Sequence, residues 1–144
     1  MKRSERTRFF IVSGSGLRWL ERDRAHDEPV TLGELKPVYQ PRHTGPKQVS
    51  FESAGPARHG TDKHQEVTRR REAWAGQIAK LLNEQDNNGE FGHLVLVAPP
   101  RLLSAIRPHL SRGVTERLQA TLGKDLFKTP NHDLKAWLHS PGMI

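Results

Sequence analysis

The first part of the chain alternates short apolar runs with turn residues, a pattern typical of antiparallel strands. Ser13-Gly14-Ser15-Gly16 directly follows an unbroken apolar run and is predicted to form a hairpin turn. In the segment after this turn, Leu17 and Trp19 fall on one face of a strand. Tight turns between neighbouring strands predict an antiparallel meander. The three predicted strands cover residues 9–12, 17–21 and 29–35.

Helical spacing of apolar residues begins in the middle of the chain and continues for about twenty residues. Asp62, with Gln65 three positions later, resembles a capping box and predicts the start of a helix. Asn87-Asn88-Gly89 predicts its end. The apolar stripe of this helix comprises Val67, Trp74, Ile78, Leu81 and Leu82.

The last part of the chain predicts two further strands and two further helices. Residues 94–97 are apolar on both faces, as in a central strand, and Pro99-Pro100 ends the run. Residues 102–110 have the spacing of a short amphipathic helix, and residues 118–122 alternate as a half-exposed strand. A final helix begins near Pro130-Asn131, and one of its faces carries Leu134, Trp137 and Leu138.

The predicted order of elements is therefore β-β-β-α-β-α-β-α. Each of the last two strands follows a helix, as parallel crossover connections require. We expect an α/β fold of three layers, with a mixed five-stranded sheet in the ribonuclease H-like arrangement. A length of 144 residues fits a single domain that covers residues 1–144.

Positive charge is concentrated in one part of the chain. The formal net charge is +7, and the stretch from Lys36 to Arg71 contributes +5 of it, with eight Lys or Arg against three acidic residues. The same stretch is rich in proline and glycine, which predicts a long basic loop at about residues 36–61. This balance favours an anionic partner.

Composition excludes several classes of protein. The absence of cysteine excludes disulfides, thiolate catalysis and cysteine-ligated zinc. No apolar run approaches the roughly 20 residues that a membrane helix needs, and the apolar run behind the basic start is too short for a secretory signal. We therefore expect a cytoplasmic protein that has no membrane association.

No catalytic motif is recognisable. A two-metal nuclease of this fold needs carboxylates at the ends of the first and fourth strands, and neither predicted strand has one. The eight histidines show no metal-ligand spacing, and the glycines form no dinucleotide-binding or phosphate-binding loop. No serine lies in a Gly-x-Ser-x-Gly elbow. The sequence predicts no enzyme, no metal and no small-molecule cofactor.

Basic residues around the start of the long helix are the remaining candidates for function. They could neutralise several phosphates of a nucleic acid without reading its sequence. Alternatively, the arginines only solubilise the outer face of the helix, where Glu66 and Glu72 could pair with them. The candidate nucleic-acid-binding residues are Arg58, His59, Lys63, Arg69, Arg70 and Arg71.

Three segments resemble the bacterial host attachment protein family: residues 10–21, residues 93–103, and Gly123-Lys124-Asp125-Leu126 with the downstream Pro130. The most specific parts are the Val-Ala-Pro-Pro-Arg-Leu-Leu run within residues 93–103 and the Lys124-Asp125-Leu126 run. The chain departs from the family at Ser13, where an acidic residue is common.

The resemblance extends distantly to the middle domain of archaeal and eukaryotic peptide-chain release factors, which has the ribonuclease H-like topology. In those factors a Gly-Gly-Gln tip on the loop before the long helix enters the peptidyl-transferase centre. Residues 54–61 of this chain contain no Gly-Gly-Gln, so the role of the glutamine in hydrolysis is not carried over.

The resemblance implies a non-enzymatic protein that contacts ribosomal RNA or tRNA through the basic loop and helix. The alternative is a protein-interaction module that acts in stress response or surface attachment without binding nucleic acid. The sequence does not predict the oligomeric state.

Overall fold

A computed structural model describes residues 6–22, 29–38 and 56–138, with residues 22, 56–62 and 138 described for the backbone only. The strands are β1 (Thr7–Ser13), β2 (Gly16–Arg22), β3 (Pro29–Leu35), β4 (His93–Val97) and β5 (Leu118–Leu122). The helices are α1 (Pro56–Asn87), α2 (Pro100–Ile106), α3 (Arg112–Arg117) and α4 (Asn131–Leu138), with a 3-10 turn at Arg107–His109.

The five strands form one mixed sheet in the order β3-β2-β1-β4-β5. The pairs β1–β2 and β2–β3 are antiparallel, whereas β1–β4 and β4–β5 are parallel. The predictions of a mixed five-stranded sheet, of the meander and of the two parallel additions are confirmed.

Helix α3 is an element that the sequence did not predict, so the observed order has one more helix between α2 and β5 than expected. The Ser111 hydroxyl caps this helix by accepting a hydrogen bond from the Val114 N–H at 3.2 Å. The side chain of Val114 is fully buried in the core. A cap and one buried residue suffice for a single six-residue helix, but they leave no periodic pattern in the sequence.

The sheet has a hydrophobic cluster on each face, which explains why β1 and β4 are apolar on both sides. On one face, Phe10 and Leu96 pack against α1, α2 and α3. On the other face, Phe9 and Val95 pack against Leu126 and against Leu134 of α4. The layers are therefore helices, sheet and helix, as expected.

Helix α1 begins at Pro56, so the prediction of a start at Asp62 is wrong. Proline is well suited to the first turn of a helix, where its missing N–H is not needed. Gly60 lies four residues later, and glycine is a poor helix former, so the sequence placed the start beyond it. The predicted loop therefore ends before Pro56, and residues 39–55 lie outside the described residues.

The end of α1 was predicted correctly at Asn87-Asn88-Gly89. Gly89 adopts a left-handed conformation with φ of 69°, and the Glu90 N–H bonds to the Gln85 carbonyl at 3.0 Å. This is the Schellman arrangement that glycine favours at helix ends.

Two residues that were predicted to lie on apolar stripes are too exposed to belong to the core. Val67 of α1 is 54% exposed, and Trp137 of α4 is 37% exposed. Helix α1 has 32 residues and is about 48 Å long, whereas a seven-residue strand spans about 23 Å. The amino-terminal part of α1 therefore extends beyond the sheet, and Val67 has no strand to pack on.

Arg8 forms a buried cluster of charged and polar groups at the start of β1. Its side chain is 8% exposed, and its guanidinium bonds to the Glu21 carboxylate at 2.7 Å. It also donates to Gln85 of α1 at 2.7 Å and to Glu90 at 2.9 Å. The cluster joins β1, β2 and the carboxyl-terminal part of α1. The buried charge of Arg8 is compensated by its carboxylate and amide partners, as a buried charge requires.

No helix among the described residues combines the length and hydropathy needed to cross a bilayer.

Two glycines give opposite predictions for replacement by alanine. A Cβ at Gly76 of α1 meets nothing within 4 Å, so Gly76→Ala should raise the free energy of unfolding by about 0.5–1 kcal/mol through helix propensity. A Cβ at Gly33 overlaps the Trp19 indole, which is stacked on Phe10. Gly33→Ala should therefore lower the free energy of unfolding by about 1–3 kcal/mol. Chemical denaturation measures both changes. A Gly33→Ala protein as stable as the parent would contradict this packing.

Candidate functional site

A groove lies where the adjacent parallel strands β1 and β4 end. Ser13 closes β1, Val97 closes β4, and the groove above them has a volume of about 670 Å³. In open α/β sheets, the crevice outside the carboxyl ends of the strands is the usual place for a ligand. The groove is lined by Gly14, Pro37, Val38, Val67, Arg70, Arg71, Trp74, Gln77, Pro99, Arg101 and Leu102.

Trp74 attaches helix α1 to the end of strand β1. Its indole is 4% exposed, and its Nε1 donates a buried hydrogen bond of 2.7 Å to the carbonyl oxygen of Ser13. Arg70 and Arg71 lie one helical turn before Trp74, on the same side of α1. The bond therefore places both arginines at the groove.

Gln77 holds the segment that follows β3 against α1. Its side-chain amide accepts a hydrogen bond from the Val38 N–H at 3.0 Å and donates one to the Val38 carbonyl. The side chains of Val38 and Val67 are 64% and 54% exposed. Together with Pro37, Pro99 and Leu102 they make the groove walls largely apolar.

Three arginines give the groove its charge. Arg70 and Arg71 come from α1 and Arg101 from α2, and the described residues that line the groove include no carboxylate. Glu66 stands beside the groove and pairs with Arg70 at 3.3 Å and with Arg69 at 3.5 Å. These ion pairs are long and exposed, so each contributes less than about 1 kcal/mol to stability.

The structure brings together only part of the predicted nucleic-acid-binding set. Arg70 and Arg71 line the groove. Arg69 is exposed and pairs with Glu66, but it is not among the lining residues. Lys63 is exposed one turn before Val67, on the same helical stripe.

Arg58 and His59 do not lie in a loop as predicted. Both belong to the first turns of α1, because the helix starts at Pro56. Their side chains lie outside the described residues.

Arg101 is a groove residue that the sequence analysis missed as a site residue. A signal was present, because Arg101 follows the Pro99-Pro100 pair that ends β4, and the carboxyl ends of adjacent parallel strands meet at one edge of a sheet. The role of Gln77 had no such signal, since its partner Val38 is 39 residues away in sequence.

A smaller, more polar pocket of about 500 Å³ lies at the turn between β1 and β2. Gly14 of this turn lines both this pocket and the groove. Its lining residues are Ser13, Gly14, Ser15, Asp125, Lys128 and Thr129. The hydroxyls of Ser13 and Ser15 are 3.1 Å apart and bond to each other. Within the described residues, no three His, Asp or Glu side chains come together where they could hold a metal ion.

Arg18 lies close to this second pocket. Its guanidinium donates to the Thr129 carbonyl and lies 5.9 Å from the centre of the Phe127 ring. Burial lowers the pKa of Arg18 from its ordinary value, and the negative charge of Glu34 offsets part of that change. These contacts join the carboxyl-terminal segment to β2.

Comparison with known proteins identifies the family. A search of curated proteins found no match. The family model described as Bacterial archaeo-eukaryotic release factor family 12 matches residues 34–138, which is well over half of the chain and includes most of the groove. The predicted similarity to release factors is thereby supported, whereas the host attachment name stays a prediction. This chain belongs to Bacterial archaeo-eukaryotic release factor family 12.

Proposed function

We propose that this protein is a non-enzymatic RNA-binding protein that contacts ribosomal RNA or tRNA in the cytoplasm through the groove and the exposed face of α1. One observation carries the proposal: Arg70, Arg71 and Arg101 converge from two helices on a groove whose described lining has no carboxylate. Membership of a release-factor family suggests a role connected with translation.

Arginine suits a phosphate ligand. Its planar guanidinium donates paired hydrogen bonds to phosphate oxygens, and it remains charged throughout the physiological pH range. A backbone phosphate would compete for Arg70 with Glu66, whose ion pair at 3.3 Å is exposed and weak. Lys63 extends the positive surface along α1 toward its amino terminus.

The topology supports placing RNA at this edge of the sheet. A meander of β1, β2 and β3 followed by parallel β4 and β5 is the strand arrangement expected of a ribonuclease H-like domain, the fold of the release-factor middle domain. The strand ends at this edge carry Ser13 and Val97 rather than carboxylates. We therefore propose binding without phosphodiester cleavage, metal or cofactor.

The second candidate is a protein-interaction module in stress response or surface attachment. The exposure of Val38 and Val67 favours it, because exposed apolar side chains often mark protein contacts. On that view the arginines of α1 only solubilise the helix. The arginine variants and Glu66→Gln should give different RNA affinities under the two candidate functions.

Replacing Arg70, Arg71 and Arg101 one at a time by alanine should weaken binding to single-stranded RNA several-fold at low salt. Each lost phosphate contact should also reduce the slope of log affinity against log salt by about 0.7. A fluorescence anisotropy titration over a series of salt concentrations measures both quantities, and cosedimentation with ribosomes tests the cellular target.

Arg112→Ala is the matched control for these changes. Arg112 is exposed and pairs with Glu116 at i,i+4, as Arg70 does with Glu66, but it lies on α3 and is not part of the groove lining. It should retain the parent's affinity. Equal losses for all four variants would show only a general effect of net charge, and no loss for the three groove variants would refute the proposal.

Glu66→Gln separates RNA binding from solubilisation. Removing this charge abolishes the ion pairs of Glu66 with Arg69 and Arg70 and makes the surface more positive, so the affinity for RNA should rise about two- to fivefold at low salt. Stability should fall by about 0.5 kcal/mol or less, as expected for exposed helical pairs. An unchanged affinity for RNA together with lower stability would favour arginines that only solvate the helix.

A further inference from the structure

The walls of the groove have a property that phosphate binding alone does not require. A flat basic surface is sufficient for sequence-independent contact with a nucleic acid backbone. Here the three arginines line the groove together with apolar side chains instead, of which Val38 and Val67 are 64% and 54% exposed. Apolar surface next to arginines fits a ligand that has both an apolar flat part and an anionic part.

We propose that the groove is a slot for the base of one unpaired nucleotide, with the adjoining phosphates held by Arg70, Arg71 and Arg101. This inference rests on the proposed RNA-binding function and adds the substrate class to it: single-stranded rather than duplex RNA. The base would contact apolar lining residues from two segments: Val67 of α1, and Pro99 and Leu102 after β4.

The dimensions of the groove favour this occupant. Its volume of about 670 Å³ lies within the range of about 300–1,000 Å³ in which proteins bind small molecules. A paired base is stacked inside the helix, and the deep major groove of duplex RNA does not admit side chains. Only a base that is unpaired and turned outward can enter the recess.

Little preference among the four bases is expected. The Trp74 N–H is used by the Ser13 carbonyl, and the Gln77 amide is used on both sides by the Val38 backbone. The indole N–H and the side-chain amide of the wall are therefore already bound within the protein. Apolar contact and stacking with guanidinium planes remain, and these are tolerant of base identity.

Val67→Ser tests the slot, because it removes an apolar wall and leaves every charge in place. Val67 is 54% exposed, so the change should hardly affect folding. Val30→Ser is the matched control, since Val30 is 55% exposed on the edge strand β3 and is not part of the groove lining. Anisotropy titrations would compare each variant with the parent on a single-stranded RNA and on its duplex.

The expected result is that the parent protein binds the single strand more tightly than the duplex. Val67→Ser should lower the affinity for the single strand roughly fivefold, on the scale of a lost apolar contact, with no change in the salt dependence or in duplex binding. Val30→Ser should behave like the parent. Adenosine 5′-monophosphate should compete for the same site.

Other outcomes distinguish the two levels of the proposal. Equal affinity for single strand and duplex, or an unchanged affinity of Val67→Ser for the single strand, would refute the nucleotide slot, even if the arginine variants bind RNA more weakly than the parent. Absence of any RNA binding by the parent would overturn the proposed function as well. Displacement by an acidic peptide but not by the mononucleotide would assign the groove to a protein partner and would also overturn the slot.

Discussion

The hydrogen bond from the Trp74 indole to the Ser13 carbonyl is the contact on which the candidate site depends. It is buried, 2.7 Å long, and joins the middle of helix α1 to the last residue of strand β1. A carbonyl at a strand end that loses its partner in the interior costs about 1–3 kcal/mol, so the helix is not free to roll about its axis. The orientation of Arg70 and Arg71 follows from this bond.

A second attachment fixes the direction of α1 as well. Gln85 of α1 accepts a hydrogen bond of 2.7 Å from Arg8, at the opposite end of β1. From Trp74 to Gln85 the helix rises about 16 Å, and from Arg8 to Ser13 the strand covers about the same distance. The two spacings match, so α1 runs antiparallel to β1 and is held at both ends of the strand. The part of α1 before Trp74 overhangs the edge of the sheet, where Arg70, Arg71 and Val67 line the groove.

The parts of the fold that could be predicted are those in which burial produces a local pattern of apolar residues. The residues of β1 and β4 are apolar on both faces because helices cover both faces of the sheet, and their runs were recognised directly. The start of α1 was misplaced because Gly60 weakens the helical signal. Val67 was assigned to the apolar stripe of α1 because helical spacing does not reveal where the sheet ends. A charge run indicated Arg70 and Arg71, and Arg101 could have been found from its place after the Pro99-Pro100 pair that ends β4. Gln77 could not, because its partner Val38 is 39 residues away in sequence.

RNA bound in the groove would lie next to Trp74, and the indole N–H signal of this residue in a nitrogen–proton correlation spectrum would report its binding. Trp74 lines the groove, whereas Trp137 packs against Lys124 in the carboxyl-terminal part of the chain and serves as an internal control. Titration with a short single-stranded RNA should shift the Trp74 signal in a saturable manner and leave the Trp137 signal in place. Saturable RNA binding with no movement of the Trp74 signal would show that RNA binds elsewhere than in the groove.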